Sequence, residues 1–577
     1  MNNVNNYTWI WQYGKRYKTK IVLSCFLVLV NAATIVVLPI VSGKIIDTVI
    51  GKNQTQLLVP FLAVMIAVTL FRTVTGYTYQ LLFEQMGQNV LFDLREDLYK
   101  KLQELDFDFF NHTRVGDIMA RMTGDTDAIR HFLSWVTYNS MECILWFCAA
   151  VIVMTSISWQ ITLALLAITP AIFILTQKMS KEAHGVFFEI RESFSQMNSM
   201  VEENISGNRV VKAFSKEAYE IDKFNLHNED YKQKNMAAAQ VSKKYLSWLE
   251  GLANSLTGIS LLLGGLFVIQ GKMTIGDLVV FNGFLWMLNQ PMRMSGWLVN
   301  DIQRFNASSI KIRELLNSTS KIAVTNDRIE EIIGDVEFEN VSFHFSDSPD
   351  KEILTDISFK VKAGQTIGIL GETGSGKSTL VNLIARFYDP TSGNVLIDGK
   401  NVKDYSLYRI RESVSMVMQD VFLFSNTIEE NIGFGSNSAN PQDIQFVADI
   451  AGAHQFIQRM PKGYDTVVGE RGVGLSGGQK QRISLARALA KEAPILILDD
   501  TTSAVDLETE AKIQQQLKDF VGKKTMFIIA HRISSVRNAD LILVLEKGRI
   551  VERGTHEELI LKAGKYRENY VKQLGVS

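Results

Sequence analysis

Residues 371–379 read GETGSGKST, which matches the pattern G-x-x-x-x-G-K-[ST]. The apolar stretch TIGIL precedes this segment and the helix-like stretch LVNLIARF follows it, so the sequence predicts a glycine-rich loop between a strand and a helix. Main-chain N–H groups of such a loop surround an anion, and the N-terminus of the helix adds partial positive charge. We therefore predict a nucleoside triphosphate site in which Lys377 reaches the β and γ phosphates and Ser378 holds Mg²⁺.

A second segment of the same half, ILILDD at residues 495–500, supports this interpretation. Its apolar run predicts a buried strand that ends at Asp499. A carboxylate in this position suits the coordination shell of Mg²⁺. Together the two segments predict that the chain binds a nucleoside triphosphate with Mg²⁺.

The N-terminal half is far more apolar than the C-terminal half. At 577 residues the chain is too long for one ordinary domain. Six apolar stretches are each long enough to cross about 30 Å of hydrocarbon as a helix. We place them at residues 20–45, 57–83, 133–157, 160–180, 246–270 and 276–300. The chain is thus predicted to be an integral protein of a lipid bilayer.

The distribution of Lys and Arg predicts the orientation of these spans. Basic residues cluster before the first span, between the second and third, and over residues 180–244, whereas the other connections are short and carry little charge. Because cytoplasmic connections are enriched in Lys and Arg, we expect both termini and the two long connections in the cytoplasm. Trp9 and Trp11 suit an interfacial helix before the first span. No cleavable signal peptide is evident.

Composition argues against two other kinds of site. The net charge of −1 provides no basic surface for nucleic acid. The three cysteines, Cys25, Cys143 and Cys148, lie in apolar runs without a CxxC pair, which favours buried or lipid-facing thiols over a disulfide or a metal site.

The two long connections, about 84–132 and 181–245, read as continued helices, with apolar residues three or four positions apart. Each is interrupted once, the first within FFNHTRVGDIMARMTGDTDAI and the second within VEENISGNRVVKAF. Periodicity alone leaves two interpretations open. One is a solvated helical hairpin, and the other is a helical extension whose tip contacts a soluble domain.

Residues 475–482, LSGGQKQR, resemble the signature motif of ATP-binding cassette proteins and lie just upstream of the Asp499 strand, as in that family. The order of the other motifs agrees, because Gln419 lies in VMQD, Asp506 in SAVD and His531 in IIAHR. Six spans followed by one such domain resemble a half-size exporter of this superfamily over nearly the whole chain. The resemblance implies a six-helix α transmembrane domain fused to an α/β P-loop NTPase domain that binds ATP. The implied boundaries are an N-terminal helix at 1–19, a transmembrane domain at 20–304 with coupling segments near 107–127 and 203–214, a linker at 305–334 and a nucleotide-binding domain at 335–577.

The resemblance also implies a role for each motif. Phe345 would stack on adenine, Gln419 would reach the metal or the attacking water, and His531 would contact the γ-phosphate. Two such domains pair head to tail in this family, so the signature of this chain would serve the ATP of its partner. The implied ATP-binding residues are Phe345, Gly371, Thr373, Gly374, Ser375, Gly376, Lys377, Ser378, Thr379, Ser476, Gly477, Gly478 and Gln479. The implied Mg²⁺ ligands are Ser378, Gln419 and Asp499, and the implied catalytic residues are Asp500, His531 and Gln419.

Asp500 departs from the family pattern, which usually has Glu at this position. Asp is one methylene shorter, so its carboxylate is withdrawn from the attacking water by roughly 1.5 Å. A misplacement of about 1 Å costs on the order of 10²-fold in rate. In this family, a shortened carboxylate together with an intact signature is typical of one subunit of heterodimeric exporters. We therefore expect a heterodimer whose partner has an intact catalytic Glu and an altered signature, with a slow homodimer as the alternative.

Few residues of the spans point to a transported substrate. Glu142 lies within the third span, where a charge is costly, and it suits either a cationic substrate group or a pairing that joins helices. The aromatic and Met residues of FNGFLWMLNQPMRMSGW favour an adaptable apolar site. We expect ATP-driven, multidrug-type export of amphipathic small molecules across a bacterial cytoplasmic membrane. A lipid flippase, a peptide exporter, and an ATP-gated channel or regulator stay open as alternatives, and the direction of transport rests on analogy.

Overall fold

The computed structural model describes residues 5–322, 331–436, 440–469, 472, 474–501, 507–522 and 524–574. The chain divides into two compact units. The first comprises Met1–Glu104 and Arg114–Ser318, and the second comprises Leu105–Thr113 and Thr319–Ser577.

The first unit is helical. Its helices are α1 Asn6–Gly14, α2 Lys18–Ile35, α3 Val37–Lys44, α4 Leu58–Glu104, α6 Val115–Ala120, α7 Thr126–His131, α8 Thr137–Ile157, α9 Trp159–Leu166, α10 Thr169–Ser206, α11 Asn208–Ala213, α12 Glu217–Ile269 and α13 Ile275–Asn317. The intervening α5, Phe107–His112, belongs to the second unit. Single turns of π-helix lie at Ile45–Ile50, Arg121–Asp125 and Phe132–Val136.

Five helical stretches of the described chain are long and apolar enough to cross a membrane. They are Asn6–Ile50, Thr55–Glu104, Val115–Ile157, Trp159–Ser206 and Glu217–Ile269. They contain the first four predicted spans and all but the last residue of the fifth. The sixth predicted span, 276–300, lies within α13. The polar side chains of Asn282, Asn289, Gln290 and Arg293 lower the mean hydropathy of α13, and Pro291 lies inside this helix without ending it.

Helix α13 forms the centre of the helical unit's core. Phe281, Phe284 and Leu288 are fully buried, and they share one face because residues three or four positions apart are neighbours on a helix. Residues of other helices pack into the same cluster, among them Ile35 of α2, Ala150 and Met154 of α8, Leu165 of α9, Ile172 of α10 and Leu256 of α12.

Helix α13 also continues past the sequence-based boundary at residue 304. Phe305, Ile312 and Leu315 are fully buried, and their spacing keeps them on one face of the helix. The first part of the expected linker, 305–317, is therefore helical, and 323–330 lies outside the described residues.

The second unit contains two β-sheets. Its strands are β1 Val336–Phe343, β2 Leu354–Val361, β3 Thr366–Gly371, β4 Ser392–Ile397, β5 Lys400–Asn401, β6 Val414–Val417, β7 Ile495–Asp499, β8 Thr525–Ile529, β9 Leu541–Glu546 and β10 Arg549–Gly554. One sheet is antiparallel with the order β2-β1-β4-β5. The other has the order β10-β9-β3-β8-β7-β6, in which β9, β3, β8, β7 and β6 are parallel and β10 is antiparallel.

Helices cover these sheets, as parallel strands require. They are α14 Lys377–Ile384, α15 Leu407–Ser413, α16 Ile428–Gly433, α17 Pro441–Ile450, α18 His454–Gln458, α19 Gly477–Ala490, α20 Leu507–Val521, α21 His556–Leu561 and α22 Lys565–Leu574. The apolar run of β7 is buried at every position, and Ile497, Phe527 and Ile369 of three adjacent strands are buried in one core. The predicted α/β domain and the helical membrane domain are both present, so the predicted fold class is confirmed.

Candidate nucleotide-binding site

The parallel sheet collects most of the predicted site residues at one edge. Strand β3 ends at Gly371, β7 at Asp499, β8 at Ile529 and β6 at Val417, and Asp499 is paired in register with Ile529. The carboxyl ends of these parallel strands therefore meet at the same edge, which is where ligands bind in open α/β sheets.

The glycine-rich loop joins the central strand β3 to α14. Gly374 and Gly376 have φ of +83° and +100°, a region that glycine adopts without steric cost. A Cβ atom on Gly371 would overlap the Leu545 carbonyl and the Ser375 hydroxyl. The Ser375 hydroxyl is buried and has no hydrogen-bond partner among the described residues. The loop thus offers N–H groups and an uncommitted hydroxyl to an anionic ligand.

Lys377, the first residue of α14, is 6% exposed. Its ammonium donates hydrogen bonds to the carbonyls of Gly371 and Glu372, at 2.9 Å each. Burial lowers the pKa of Lys377, and the carboxylates of Asp499 and Asp500 act in the opposite direction. A buried ammonium that donates to main-chain carbonyls can exchange those bonds for bonds to an incoming phosphate.

Asp499 ends β7 and is 7% exposed. Burial raises the pKa of this carboxyl; the nearby Asp500 adds to this effect, while a hydrogen bond from Ser378 and the positive charges of Lys377 and His531 oppose it. The Ser378 hydroxyl and the Asp499 carboxylate offer oxygen ligands of the type that Mg²⁺ prefers. Among the described residues no group of three or more His, Cys, Asp and Glu side chains is arranged to hold a metal.

Asp500 follows in the left-handed region, at a φ of +49°. Its N–H donates to the Ile529 carbonyl at 3.0 Å, and its own carbonyl accepts a bond from the Gln481 side chain at 3.4 Å. Asp is among the few residues other than glycine that adopt this conformation readily. The main chain at residue 500 is therefore fixed from β8 and from α19.

His531 lies two residues beyond β8, and its side chain is exposed. The Gln573 carboxamide of α22 donates to the His531 carbonyl at 2.7 Å and accepts from the Ile533 N–H at 2.9 Å. The buried Glu510 of α20 accepts from Arg532 at 3.2 Å and from the Ser535 hydroxyl at 2.6 Å. Sequence reasoning missed these supporting residues, because a Gln or Glu within a polar helix carries no local signal of a long-range contact.

Gln419 and Phe345 lie on other elements of the same unit. Gln419 is exposed just after β6. Phe345 follows β1 and is half-buried, with its ring at 5.1 Å from that of Phe343 and 5.5 Å from that of Tyr388, both edge-on.

The signature lies at the start of α19. Ser476 caps this helix: its hydroxyl accepts from the Gln479 N–H at 3.3 Å, and the Gln479 side chain accepts from the Ser476 N–H at 2.9 Å. Ser476 and Gly477 are exposed and Gly478 is half-buried. Asp506 lies outside the described residues.

Two family models match the chain. Residues 21–292 match the ABC transporter transmembrane region, and residues 354–503 match the ABC transporter model. An uncharacterized ABC transporter ATP-binding protein, YknU of Bacillus subtilis (strain 168), is 38% identical over 97% of this chain and 95% of its own length.

The chain belongs to the ABC transporter family. It is an exporter half-transporter that carries a transmembrane domain and an ATP-binding domain. Two further relatives are the putative multidrug export protein YgaD of Bacillus subtilis (strain 168), 34% identical over 97% of this chain and 98% of its own, and an ATP-dependent lipid A-core flippase of Syntrophus aciditrophicus (strain SB), 34% identical over 90% and 86%. A solved ATP-bound bacterial Atm1-family ABC exporter superposes with a TM-score of 0.82, at 28% identity over 96% of this chain and 99% of that one.

ABC exporters work as dimers in a lipid membrane and couple ATP hydrolysis to transport. In this exporter, α5 packs within the unit that holds the ATP-binding domain. The Phe107 ring lies 4.4 Å from that of Phe387, and Asn111 donates to the Tyr388 hydroxyl at 2.8 Å. Asp108 accepts from Ser346, the neighbour of Phe345, at 2.7 Å. The tip of the first long connection thus contacts the elements around Phe345.

Glu142, in the helical unit of the exporter, is 7% exposed. Its carboxylate accepts a hydrogen bond from the Tyr79 hydroxyl of α4, and Arg72 of the same helix lies within electrostatic range. The carboxylate therefore joins α8 to α4.

Proposed function

We propose that this ABC exporter works as one half of a heterodimer, to which it contributes a slow ATP site and a functional signature. One observation carries the proposal: the short carboxylate of Asp500 follows Asp499 in the chain's own site, whereas the same chain has a complete LSGGQ at the exposed start of α19. The alternative is a slow homodimer with two such sites.

ATP binding would use the glycine-rich loop. Lys377 would exchange its bonds to the Gly371 and Glu372 carbonyls for bonds to phosphate, and the Ser375 hydroxyl would gain a partner. Phe345 would stack on adenine. Ser378 and Asp499, with Gln419, would hold Mg²⁺, which neutralises phosphate charge when bound. The other loop residues, Gly374, Gly376, Thr373 and Thr379, would shape this cradle.

Hydrolysis would be limited by the reach of one side chain. Asp500 would polarise the attacking water, and His531 would contact the γ-phosphate. Withdrawal of the carboxylate by roughly 1.5 Å predicts a rate lower by on the order of 10²-fold, or about 2.7 kcal/mol in activation free energy. The signature residues Ser476, Gly477, Gly478 and Gln479 would instead bind the ATP of the partner chain.

Transport would be coupled to ATP through the tips of the long cytoplasmic connections, near 107–127 and 203–214. The contacts of α5 with Phe387 and Tyr388 support this role for the first tip. The second tip, α11, has exposed apolar side chains on either side of Gly207, including Ile205, Val210 and Phe214. We further propose the domain limits 1–19, 20–304, 305–334 and 335–577, with the end of the linker's helical part at Asn317.

The proposed substrate is an amphipathic small molecule, because a relative at 34% identity is named a putative multidrug exporter. Lipid export is the second candidate, since another relative at 34% identity is named a lipid A-core flippase. The bond from Tyr79 favours a helix-joining role for Glu142 over contact with a cationic substrate. Both termini and the ATP-binding domain would face the cytoplasm of a bacterial cell.

The test is ATP hydrolysis by the full-length chain in lipid nanodiscs, alone and together with an ABC half-transporter chain encoded beside it. Each sample is measured as wild type, with Asp500→Glu, and with the partner's catalytic Glu replaced by Gln. We expect the lone chain to be nearly inactive, the pair to be active, and the partner's Glu→Gln to abolish turnover. Brisk hydrolysis by the lone chain as a dimer would reject the heterodimer.

A further inference from the structure

The segment that carries His531 is held by side chains from two helices. Gln573 of α22 bonds to the main chain on both sides of Arg532, through the His531 carbonyl at 2.7 Å and the Ile533 N–H at 2.9 Å. One carboxamide therefore makes the two bonds that the N–H and the C=O of a single residue in a neighbouring parallel strand would make. The carboxylate of Glu510 in α20 accepts hydrogen bonds from the side chains of Arg532 and Ser535 in the same segment.

The C-terminal helix α22 has its own anchor, independent of Gln573. Tyr566 is fully buried, and its hydroxyl lies 2.6 Å from Nδ1 of His556. Tyr566 shares a core with Ile533 of the His531 segment and with Leu370 of β3. Helix α22 is thus fixed through Tyr566 to the core that contains β3 and the His531 segment.

The His531 side chain is exposed and lies in a segment that has left the sheet. The main chain that carries His531 therefore sets where its Cβ atom lies and which positions the imidazole can reach. The two bonds from Gln573 restrict the orientation of the peptide groups that follow His531 and Arg532. A shift of a reacting group by about 1 Å costs on the order of 10²-fold in rate, so even a partial release of this segment would be visible in hydrolysis.

We propose that Gln573 is a positioning residue for ATP hydrolysis: its carboxamide holds the main chain of residues 531–533 so that His531 meets the γ-phosphate. This inference rests on the proposed role of His531. It makes α22 a working part of the ATP site, whereas the sequence motifs of the site end at His531.

The test compares substitutions at Gln573 that separate packing from hydrogen bonding. Gln573→Met keeps the length of the side chain and removes both bonds. Gln573→Glu keeps the oxygen that accepts from the Ile533 N–H. It replaces the NH₂ group that donates to the His531 carbonyl by a second oxygen, which the carbonyl oxygen repels. Arg567→Ala, at an exposed position of the same helix, is the control. Each variant is made in the wild-type and in the Asp500→Glu background, as full-length protein in nanodiscs. The assay is single-turnover hydrolysis of radiolabelled ATP, which reports the chain's own site even when that site is slow.

We expect Gln573→Met and Gln573→Glu to lower the maximal rate roughly tenfold, with the half-saturating ATP concentration and the affinity for trinitrophenyl-ATP unchanged. The double variant Gln573→Met/His531→Ala should be no slower than His531→Ala, because residues that act through one another are not additive. Arg567→Ala should match the wild type.

Two results would overturn the inference. One is a normal rate for Gln573→Met while His531→Ala is slow. The other is a parallel fall of melting temperature, ATP affinity and rate in Gln573→Met, which would indicate a purely structural role. A normal rate for His531→Ala would instead reject the proposed role of His531 itself, so the two failures are distinguishable.

Discussion

The main-chain N–H of Asp500 donates a hydrogen bond to the carbonyl of Ile529, at 3.0 Å. This bond joins the segment after β7 to the end of β8, and it holds Asp500 at a φ of +49°. The main chain of residue 500 is thus held at the ends of β7 and β8 and by Gln481 of α19, so the length of the side chain affects how far the carboxylate reaches.

We therefore expect Asp500→Glu to raise the maximal rate of ATP hydrolysis at the chain's own site by about 10–100-fold, because the longer side chain carries the carboxylate toward the water. Glu is less suited than Asp to a left-handed position, so a small loss of thermal stability should accompany this gain. Single-turnover hydrolysis measures the rate. The isosteric Asp500→Asn is the control and should be slower than the wild type; equal rates for all three side chains would contradict a catalytic role at this position.

Lys377→Ala should weaken ATP binding by about 10–100-fold, because a hydrogen bond to a charged group contributes about 1.5–3 kcal/mol. Without nucleotide the variant should unfold near the wild-type temperature, since the hydrogen bonds that the ammonium donates among the described residues go to two carbonyls. Thermal shift with and without ATP tests both statements, with Lys351→Ala at an exposed turn as the control. An undiminished ATP-induced shift in Lys377→Ala would contradict the assignment.

Asp499→Asn should stabilise the nucleotide-free protein at neutral pH by about 0.5–2 kcal/mol. Burial raises the pKa of Asp499, so the folded state holds this proton more tightly than the unfolded state. The resulting stability is fully present below the ordinary carboxyl pKa of about 3.9 and is lost as pH rises through the higher folded value. The gain from Asp499→Asn should therefore be larger at pH 7.5 than at pH 5, while Mg²⁺-dependent ATP affinity falls.

Melting temperatures of the full-length chain at the two pH values provide the measurement. Asp519→Asn, at an exposed position of α20, is the matched control. A stabilisation by Asp499→Asn that is larger at pH 5 than at pH 7.5 would show that burial of the charge is not its cause.

Two variants separate the structural and functional roles of Ser476. Ser476→Ala should destabilise the protein by about 1 kcal/mol through loss of the helix cap. Ser476→Asp keeps a capping oxygen but directs a negative charge toward the partner's ATP, so it should retain stability and reduce turnover of the paired transporter at least tenfold. Melting curves measure stability, and steady-state ATP hydrolysis by the paired transporter measures turnover. A wild-type turnover rate for Ser476→Asp would show that the signature of this chain does not contact the partner's ATP.

In the helical unit, Asp47 joins the ends of two helical segments. Its carboxylate accepts from the Thr274 hydroxyl at 2.6 Å and from the Gly276 N–H at 2.8 Å. A Cβ atom on Gly276 would overlap this carboxylate and the Gly43 carbonyl, so Gly276→Ala should destabilise the unit by about 1–3 kcal/mol. Gly265→Ala is the control, because that position is open and Ala favours a helix. In nanodiscs, the melting temperature of Gly276→Ala should be well below that of Gly265→Ala.

Local pattern alone predicted the strands, loop and helix that carry much of the candidate ATP site. The spacing of glycines, Lys377 and Ser378 located the loop between a strand and a helix, because only such a loop needs several glycines beside a helix N-terminus. The apolar run 495–498 located β7 and its terminal Asp499. The end of α13 was harder to predict. The helix continues past residue 304 to Asn317, and no glycine or proline near residue 304 indicates an end there.

The sequence by itself determined the two-part architecture and the positions of the motifs. Both are visible in residues that are close together in the sequence, as runs of apolar side chains or as short motifs of fixed spacing. Only the tertiary structure decided that Gln573 and Glu510 hold the His531 segment, that Ile529 orients Asp500, and that Tyr79 binds Glu142. The residues that make these contacts are separated by 22 to 63 positions along the chain. Contacts of that kind depend on strand order and helix packing, and no local pattern of residues records them.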